Sequence, residues 1–301
     1  MNKHHFSIPF ILLVAMVTSL FSACSQDDTV APEEGENQGK TPVPIITRAT
    51  GEQTNVNAGL FMVNYLDNAP DELLGSGNYI HNQLLTLSNG TWSSATPIYW
   101  YDMDTPADFY GYAPYQQTVP NARQLQFTVS TDQRNQNQFE QSDFLWGVVK
   151  GRNPSDGSFS LNLSHMLSRL SVSITADNGF ADGELHDGDI SVSIGGTTPQ
   201  AYIDLMDGSV SPASNSQASD VVCHADGNLV YTAILIPQYV PFSNFIQVDW
   251  KGNKYTLQNS FNLEPRKQYQ LTAKLKKTAS GFDIGIEGWD IIPEDFGGIV
   301  G

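Results

Sequence analysis

Cysteine is nearly missing from this 301-residue chain, with only Cys24 and Cys223 present. Two thiols exclude a disulfide framework and a cysteine-built zinc site. Charge is also thin, at 16% of residues against roughly 25% in ordinary soluble proteins. Cations are the scarcer sign, with 15 Lys and Arg against 32 Asp and Glu and a net charge of −17. Such a surface repels phosphate, so nucleic acid is not an expected partner. No nucleophile elbow, P-loop or HExxH motif occurs, and no carboxylate pair has spacing that singles it out for glycoside hydrolysis. His81, His165, His186 and His224 are scattered. A non-enzymatic chain without cofactor or metal site is therefore expected. Aliphatic and aromatic residues do supply a core, with 40% hydrophobic and 11% aromatic residues, which argues against disorder as the main state. The length suits two domains behind an export signal.

The N-terminus carries Lys3, an apolar stretch from Ile8 to Leu20, and then Phe21-Ser22-Ala23-Cys24. This is a secretory signal, too short and poorly flanked to span a membrane. Ser22-Ala23-Cys24 resembles the lipobox of bacterial lipoproteins. The resemblance implies removal of residues 1–23 and a diacylated Cys24 that holds the chain in the outer membrane. The next residues, Ser25-Gln26-Asp27-Asp28, resemble the short acidic signal that sends lipoproteins of Bacteroides-type bacteria to the outer surface. Residues 25–57 contain no aromatic residue and are rich in Pro, Glu and Gly, so they form a disordered tether. Cys223 then has no partner and is expected to be a buried or half-buried thiol.

Val43-Pro44-Ile45-Ile46-Thr47-Arg48-Ala49 is the tether's one apolar patch, and the next Lys or Arg after Arg48 is Arg123. A trypsin-like or Arg-specific protease would find accessible bonds only at Lys40 and Arg48. Position alone does not separate a processing site at Arg48 from an incidental basic residue.

Beyond Asn57 the pattern has period two. Leu125, Phe127 and Val129 alternate with polar neighbours, as do Ile190, Val192 and Ile194. Ile246, Val248 and Trp250, then Tyr269 to Leu275, then Phe282, Ile284 and Ile286 behave alike. Each reads as a half-buried strand. Ser88-Asn89-Gly90, Asp156-Gly157, Asp207-Gly208, Asp226-Gly227 and Lys251-Gly252-Asn253 supply hairpin turns. Leu163, Met166, Leu167 and Leu170 also fit a helix. The opposed alternation of Phe159 to Leu163 and Leu170 to Ile174 favours a long strand bent near His165–Ser168. A composition break from Lys150 to Gly157 divides the body into two β-sandwich halves.

Several segments in order resemble the fimbrillin family. They are Pro97-Ile98-Tyr99-Trp100, Ala107 to Pro114, Ser142-Asp143-Phe144-Leu145-Trp146-Gly147, Leu161 to Leu170, Leu235-Ile236-Pro237-Gln238, Leu263 to Tyr269, and Ile286-Glu287-Gly288-Trp289. Arg169 stands where lysine is usual, and Arg266 where glycine is usual. The resemblance implies an all-β protein of two tandem transthyretin-like β-sandwich domains, residues 49–155 and 156–301, behind the lipoprotein signal (1–23) and a tether or propeptide (24–48). It implies a structural or adhesive subunit of a type V pilus, or fimbria, first a surface-exposed outer-membrane lipoprotein and then part of the fimbrium. Maturation would fall at Arg48-Ala49 through an Arg-specific protease. Val43, Ile45 and Ile46 would form a leaving strand, replaced by a strand from another subunit of a homo- or heteropolymer. Partners are thus other pilus subunits, the membrane through Cys24, the protease, and a host or bacterial surface ligand.

The tail from Asp290 to Gly301 carries Ile291, Ile292, Phe296, Ile299 and Val300, an apolar load unusual for a free terminus. It is a candidate donor strand, or a cap on its own second domain. Two further groups need exposure to decide them. Asp177, Asp182, Glu184, Asp187 and Asp189 read as a solvated acidic loop, without the spacing of a calcium loop. Trp92, Tyr99, Trp100, Tyr101, Tyr110, Tyr112 and Tyr115 read as core if buried. If they form one exposed platform, they support the alternative of a surface glycan-binding β-sandwich lipoprotein. Residues 49–301 hold 27 acidic and 12 basic side chains, so the acidity belongs to the body and not to the tether.

Overall fold

The computed structural model describes residues 40–49, 55–278 and 281–290. Cys24 with its expected lipidation, the signal, most of the tether, and the tail residues Ile291, Ile292, Phe296, Ile299 and Val300 lie outside the described residues. The first strands are β1 (Ile45–Ala49), β2 (Ala58–Leu66), β3 (Ala69–Pro70), β4 (Ile80–Ser88), β5 (Thr91–Ser93), β6 (Ala107–Ala113), β7 (Leu125–Thr128), β8 (Leu145–Arg152) and β9 (Phe159–His165), with one short helix α1 (Gln136–Gln141). There follow β10 (Ser168–Ala176), β11 (Ile190–Thr197), β12 (Gln200–Asp204), β13 (Ser209–Pro212), β14 (Ser219–Val222), β15 (His224–Gly227), β16 (Val230–Leu235), β17 (Gln238–Trp250), β18 (Asn253–Leu263), β19 (Gln268–Thr278) and β20 (Gly281–Asp290). The chain is all-β, and the alternating runs picked out in the sequence lie on strands, except that Val129 falls one residue past the end of β7.

Turn chemistry sets the hairpins. Asn89 and Gly90 join β4 to β5 with φ of 51° and 72°, and Lys251 and Gly252 join β17 to β18 with φ of 50° and 81°. Two consecutive left-handed residues match the right-handed twist of the flanking strands.

The early strands form an eight-stranded sheet, ordered β3-β2-β4-β5-β1-β9-β8-β6, in which β2 also pairs with β6. The path β2-β4-β5-β1-β9-β8-β6 therefore returns to its start. Two strands turn the corners. β4 pairs with β2 through residues Ile80 to Leu85 and with β5 through Thr86 to Ser88. β9 pairs with β1 through Phe159 to Leu163 and with β8 through Ser164 and His165. The later strands build a five-stranded sheet, β15-β16-β10-β19-β20, and a four-stranded sheet, β14-β11-β17-β18. Leu170, Val172, Ile194, Phe245, Val248 and Leu271 belong to one core cluster between these two sheets.

The expected bent strand near His165–Ser168 is instead two strands in two sheets, β9 and β10, separated by Met166 and Leu167. The phase change has a physical cause. Leu161 and Leu163 belong to the first core, while Leu170 and Val172 belong to the second.

A third core joins these halves. β2 and β6 are buried on both faces. Leu60, Met62 and Phe109 face the first core, and Phe61, Val63, Tyr110 and Tyr112 face a cluster with Phe127, Phe144, Ile203 and Ile236. β7 pairs with β12 in a small sheet, β13-β12-β7. The buried amide of Gln133 acts as an extra strand rung, giving its Nε2–H to Ile234 O at 2.8 Å and accepting from Ile234 N at 2.9 Å.

Candidate functional site

β1 closes the circuit of the first sheet. It lies parallel to β9 in the register Ile45↔Phe159 to Ala49↔Leu163, and antiparallel to β5 at Thr47↔Trp92. Before β1, the chain adds an antiparallel clasp. Val43 N donates to Ile98 O at 2.8 Å, and Trp100 N donates to Thr41 O at 3.0 Å. Phe159 N reaches Pro44 O at 3.2 Å. Residues 41–49 are thus one extended segment held from both sides, so this stretch of the expected disordered tether is instead ordered against the first sheet.

Alternation decides which side chains it buries. Val43 and Thr47 are buried and Ile45 is half-buried, whereas Ile46 is 40% exposed. Val43 belongs to the core cluster of Leu60, Trp92, Trp100, Phe109 and Leu161, and Ile45 packs against it. Thr47, only 2% exposed, donates its hydroxyl to Trp92 O at 2.6 Å, and Trp92 Nε1 in turn donates to Val56 O at 2.8 Å. Val43, Ile45 and Thr47 form a period-two set of good strand formers, and the inward hydroxyl bond of Thr47 is what the sequence did not show. Arg48 and Ala49 are the last two residues of β1, in register with Asn162 and Leu163.

The aromatic run is mostly interior. Trp92, Trp100, Tyr110 and Tyr112 are buried, and Tyr99 and Tyr115 are half-buried. Only Tyr101, 57% exposed, stands out to solvent. No contiguous platform forms from these rings. Burial pushes the phenols of Tyr110 and Tyr112 well above their ordinary range. Tyr110 donates to Asp108 Oδ2 at 3.1 Å, and Tyr112 donates to Asn82 Oδ1 at 2.7 Å.

The acidic loop is laced to lysines. Asp189 meets Lys251 at 3.0 Å, Glu184 meets Lys277, and Asp187 accepts from Leu229 N at 2.8 Å. Among the described residues no group of three or more His, Cys, Asp or Glu side chains could hold a metal ion. His165 Nδ1 bonds Asp143 Oδ2 at 2.6 Å, and His224 stacks on Phe139 with centroids 4.9 Å apart. Cys223 is buried as expected, and burial pushes its thiol up. No described helix is long and apolar enough to cross a membrane.

These features define an all-β protein of layered sheets with an early strand seated in one sheet. Residues 47–289 match the fimbrillin-like family, and the chain belongs to that family. No curated protein matches it. Among solved structures, a candidate cell adhesion protein from Bacteroides uniformis is 19% identical with a TM-score of 0.62, over 86% of this chain and 98% of its own. Another from Bacteroides ovatus is 15% identical with a TM-score of 0.63, over 85% of this chain and 99% of its own. At these identities the likeness is one of fold.

Proposed function

We propose that this chain is a structural or adhesive subunit of a cell-surface pilus, exported as a lipoprotein on Cys24, matured after Arg48 and assembled by donor-strand exchange. Family membership supports the coarse reading of a pilus- or adhesion-type surface subunit. The observation that carries the finer reading is that β1, the strand ending at Arg48-Ala49, joins β5 to β9 and completes the circuit. Loss of the segment through Arg48 leaves two unpaired edges above an apolar floor that includes Leu60, Trp92, Phe109 and Leu161. An extended strand from another subunit satisfies such edges by β-augmentation. The candidate donor remains the tail bearing Ile291, Ile292, Phe296, Ile299 and Val300. The role is non-enzymatic.

The two-domain division belongs to the same proposal. Sheet membership favours a seam at Met166–Leu167 over the composition break at residues 155 and 156, because β9 pairs with β8 and β1. Burial of Trp92, Trp100, Tyr110 and Tyr112 favours the pilus subunit over a glycan-binding lipoprotein built on that aromatic run.

The test is the N-terminal residue of protein recovered from surface fibres, together with an Arg48→Ala variant. Ala49 at the terminus and loss of laddered multimers in the variant are expected. A lipidated Cys24 in every fibre copy, or ladders unchanged by Arg48→Ala, would overturn the maturation step.

A further inference from the structure

A cleft of about 630 Å³ opens beside the small sheet β13-β12-β7, between that sheet, the loop after β6 and the end of α1. It is unlike the rest of this acidic molecule, because none of its lining residues is charged. Amides and phenols converge on it instead: Gln116, Gln124, Gln126 and Gln141, with Tyr115 and Tyr202. Strand geometry explains part of this set. Leu125 and Phe127 face the core, which turns Gln126 outward, and Gln126 stands directly across from Tyr202 on β12. The cleft therefore takes residues from both halves of the chain, a usual place for ligand sites.

The polar groups are largely uncommitted. Gln116 donates its amide to Gln126 O at 3.1 Å. The side chains of Gln124, Gln126 and Gln141 and the hydroxyls of Tyr115 and Tyr202 have no protein hydrogen-bond partner among the described residues. A carboxamide presents a donor and an acceptor side by side, which matches a pair of adjacent hydroxyls. A tyrosine offers an apolar ring face with a polar tip. Without a cation at the cleft, nothing compensates a carboxylate or sulfate on the ligand, and the net charge of −17 opposes one.

From this chemistry we infer that the cleft binds a neutral saccharide, with its pyranose face on Tyr202 or Tyr115 and its hydroxyls on the glutamine amides. The site is separate from the groove under β1 and does not depend on strand exchange. It also differs from the aromatic platform of Trp92 to Tyr115, of which only Tyr115 lines the cleft.

The experiment screens the folded chain without its signal and Cys24, residues 25–301, on an array of neutral, sialylated and uronate-bearing oligosaccharides. Titration calorimetry with the best neutral oligosaccharide follows. Tyr202→Ala should weaken that binding by about tenfold, the worth of one stacking contact, while Tyr202→Phe keeps most of it. Gln124→Ala, at an exposed position where truncation leaves the core intact, should weaken binding severalfold. Tyr101→Ala, an exposed ring elsewhere, should leave it unchanged. The inference fails if no neutral glycan binds, if only acidic glycans bind, or if Tyr202→Ala and Gln124→Ala both bind as the parent does.

Discussion

Thr47→Val separates a strand that leaves from one that stays. In the uncut chain, Thr47 is buried and its hydroxyl reaches Trp92 O at 2.6 Å. Valine keeps nearly the same volume and removes only that bond. A net hydrogen bond contributes about 0.5–1.5 kcal/mol, and a buried carbonyl that loses its partner costs about 1–3 kcal/mol. An effect of about 1–2 kcal/mol raises the population with β1 detached by roughly 5–30-fold. Trypsin reads this directly, because Arg48 lies inside the ladder with β9 whereas Lys40 precedes it. The Arg48-to-Lys40 cleavage ratio should rise by the same factor in Thr47→Val. If residue 47 departs with β1, fibres assembled from the variant should melt like the parent. An unchanged cleavage ratio would refute the account of how β1 is held. An equal loss of stability in precursor and fibre would refute its departure.

Three further outcomes follow from the packing and the charges. Gln133→Ala removes both bonds to the backbone of Ile234 and should cost about 2–5 kcal/mol in urea unfolding; a loss below about 1 kcal/mol would show that the rung is dispensable. At Gly147 an added Cβ would sit 2.1 Å from Asn162 O, so Gly147→Ala should push β8 from β9 and destabilise by at least about 2 kcal/mol, read from the thermal midpoint. Asp132 is held at about 2 by its hydrogen bonds from Arg134. Its folded value lies below its unfolded one, so its contribution is present above the ordinary carboxylate range and is lost as pH falls toward about 2. Both side chains are well exposed, so solvent screening keeps that contribution slight. In Arg134→Gln the carboxylate's NMR midpoint should climb toward the usual range, and an unmoved midpoint would refute the pairing.

Local pattern was legible and pairing was not. The alternation of Ile190, Val192 and Ile194, or of Tyr269 to Leu275, fixed strand identity because one face meets a core and the other meets polar surroundings. The same rule failed at β2 and β6, where Leu60 and Phe61, or Phe109 and Tyr110, face different cores. A strand buried on both faces carries no period, only a continuous apolar run. The break at Met166–Leu167 appeared as a phase change, but nothing local says that the two phases belong to different sheets. Gln133 gave no signal, because a buried amide acting as a backbone rung depends on a partner 101 positions away. In the candidate groove, Val43 and Ile45 were legible as apolar residues in a polar tether. Their inward direction came only with the register against Phe159 and Leu161.

That register also explains why the first strand is the natural seam of the sheet. The other joins of the circuit are antiparallel, and β1 with β9 is its one parallel pair. Parallel pairing is slightly weaker per residue and needs a long connection; here the partners are residues 45–49 and 159–163, more than a hundred positions apart. On its other side β1 meets β5 at a single register pair. The remaining strands keep their order without it, because β5, β4, β2, β6, β8 and β9 form an unbroken antiparallel path. In the proposed maturation, a cut at Arg48 would sever the covalent link that holds Val43, Ile45 and Thr47 at high local concentration. What sets β1 apart is therefore its one parallel ladder and its single pair with β5, and the other pairings persist if it leaves, which is the condition the proposed exchange requires.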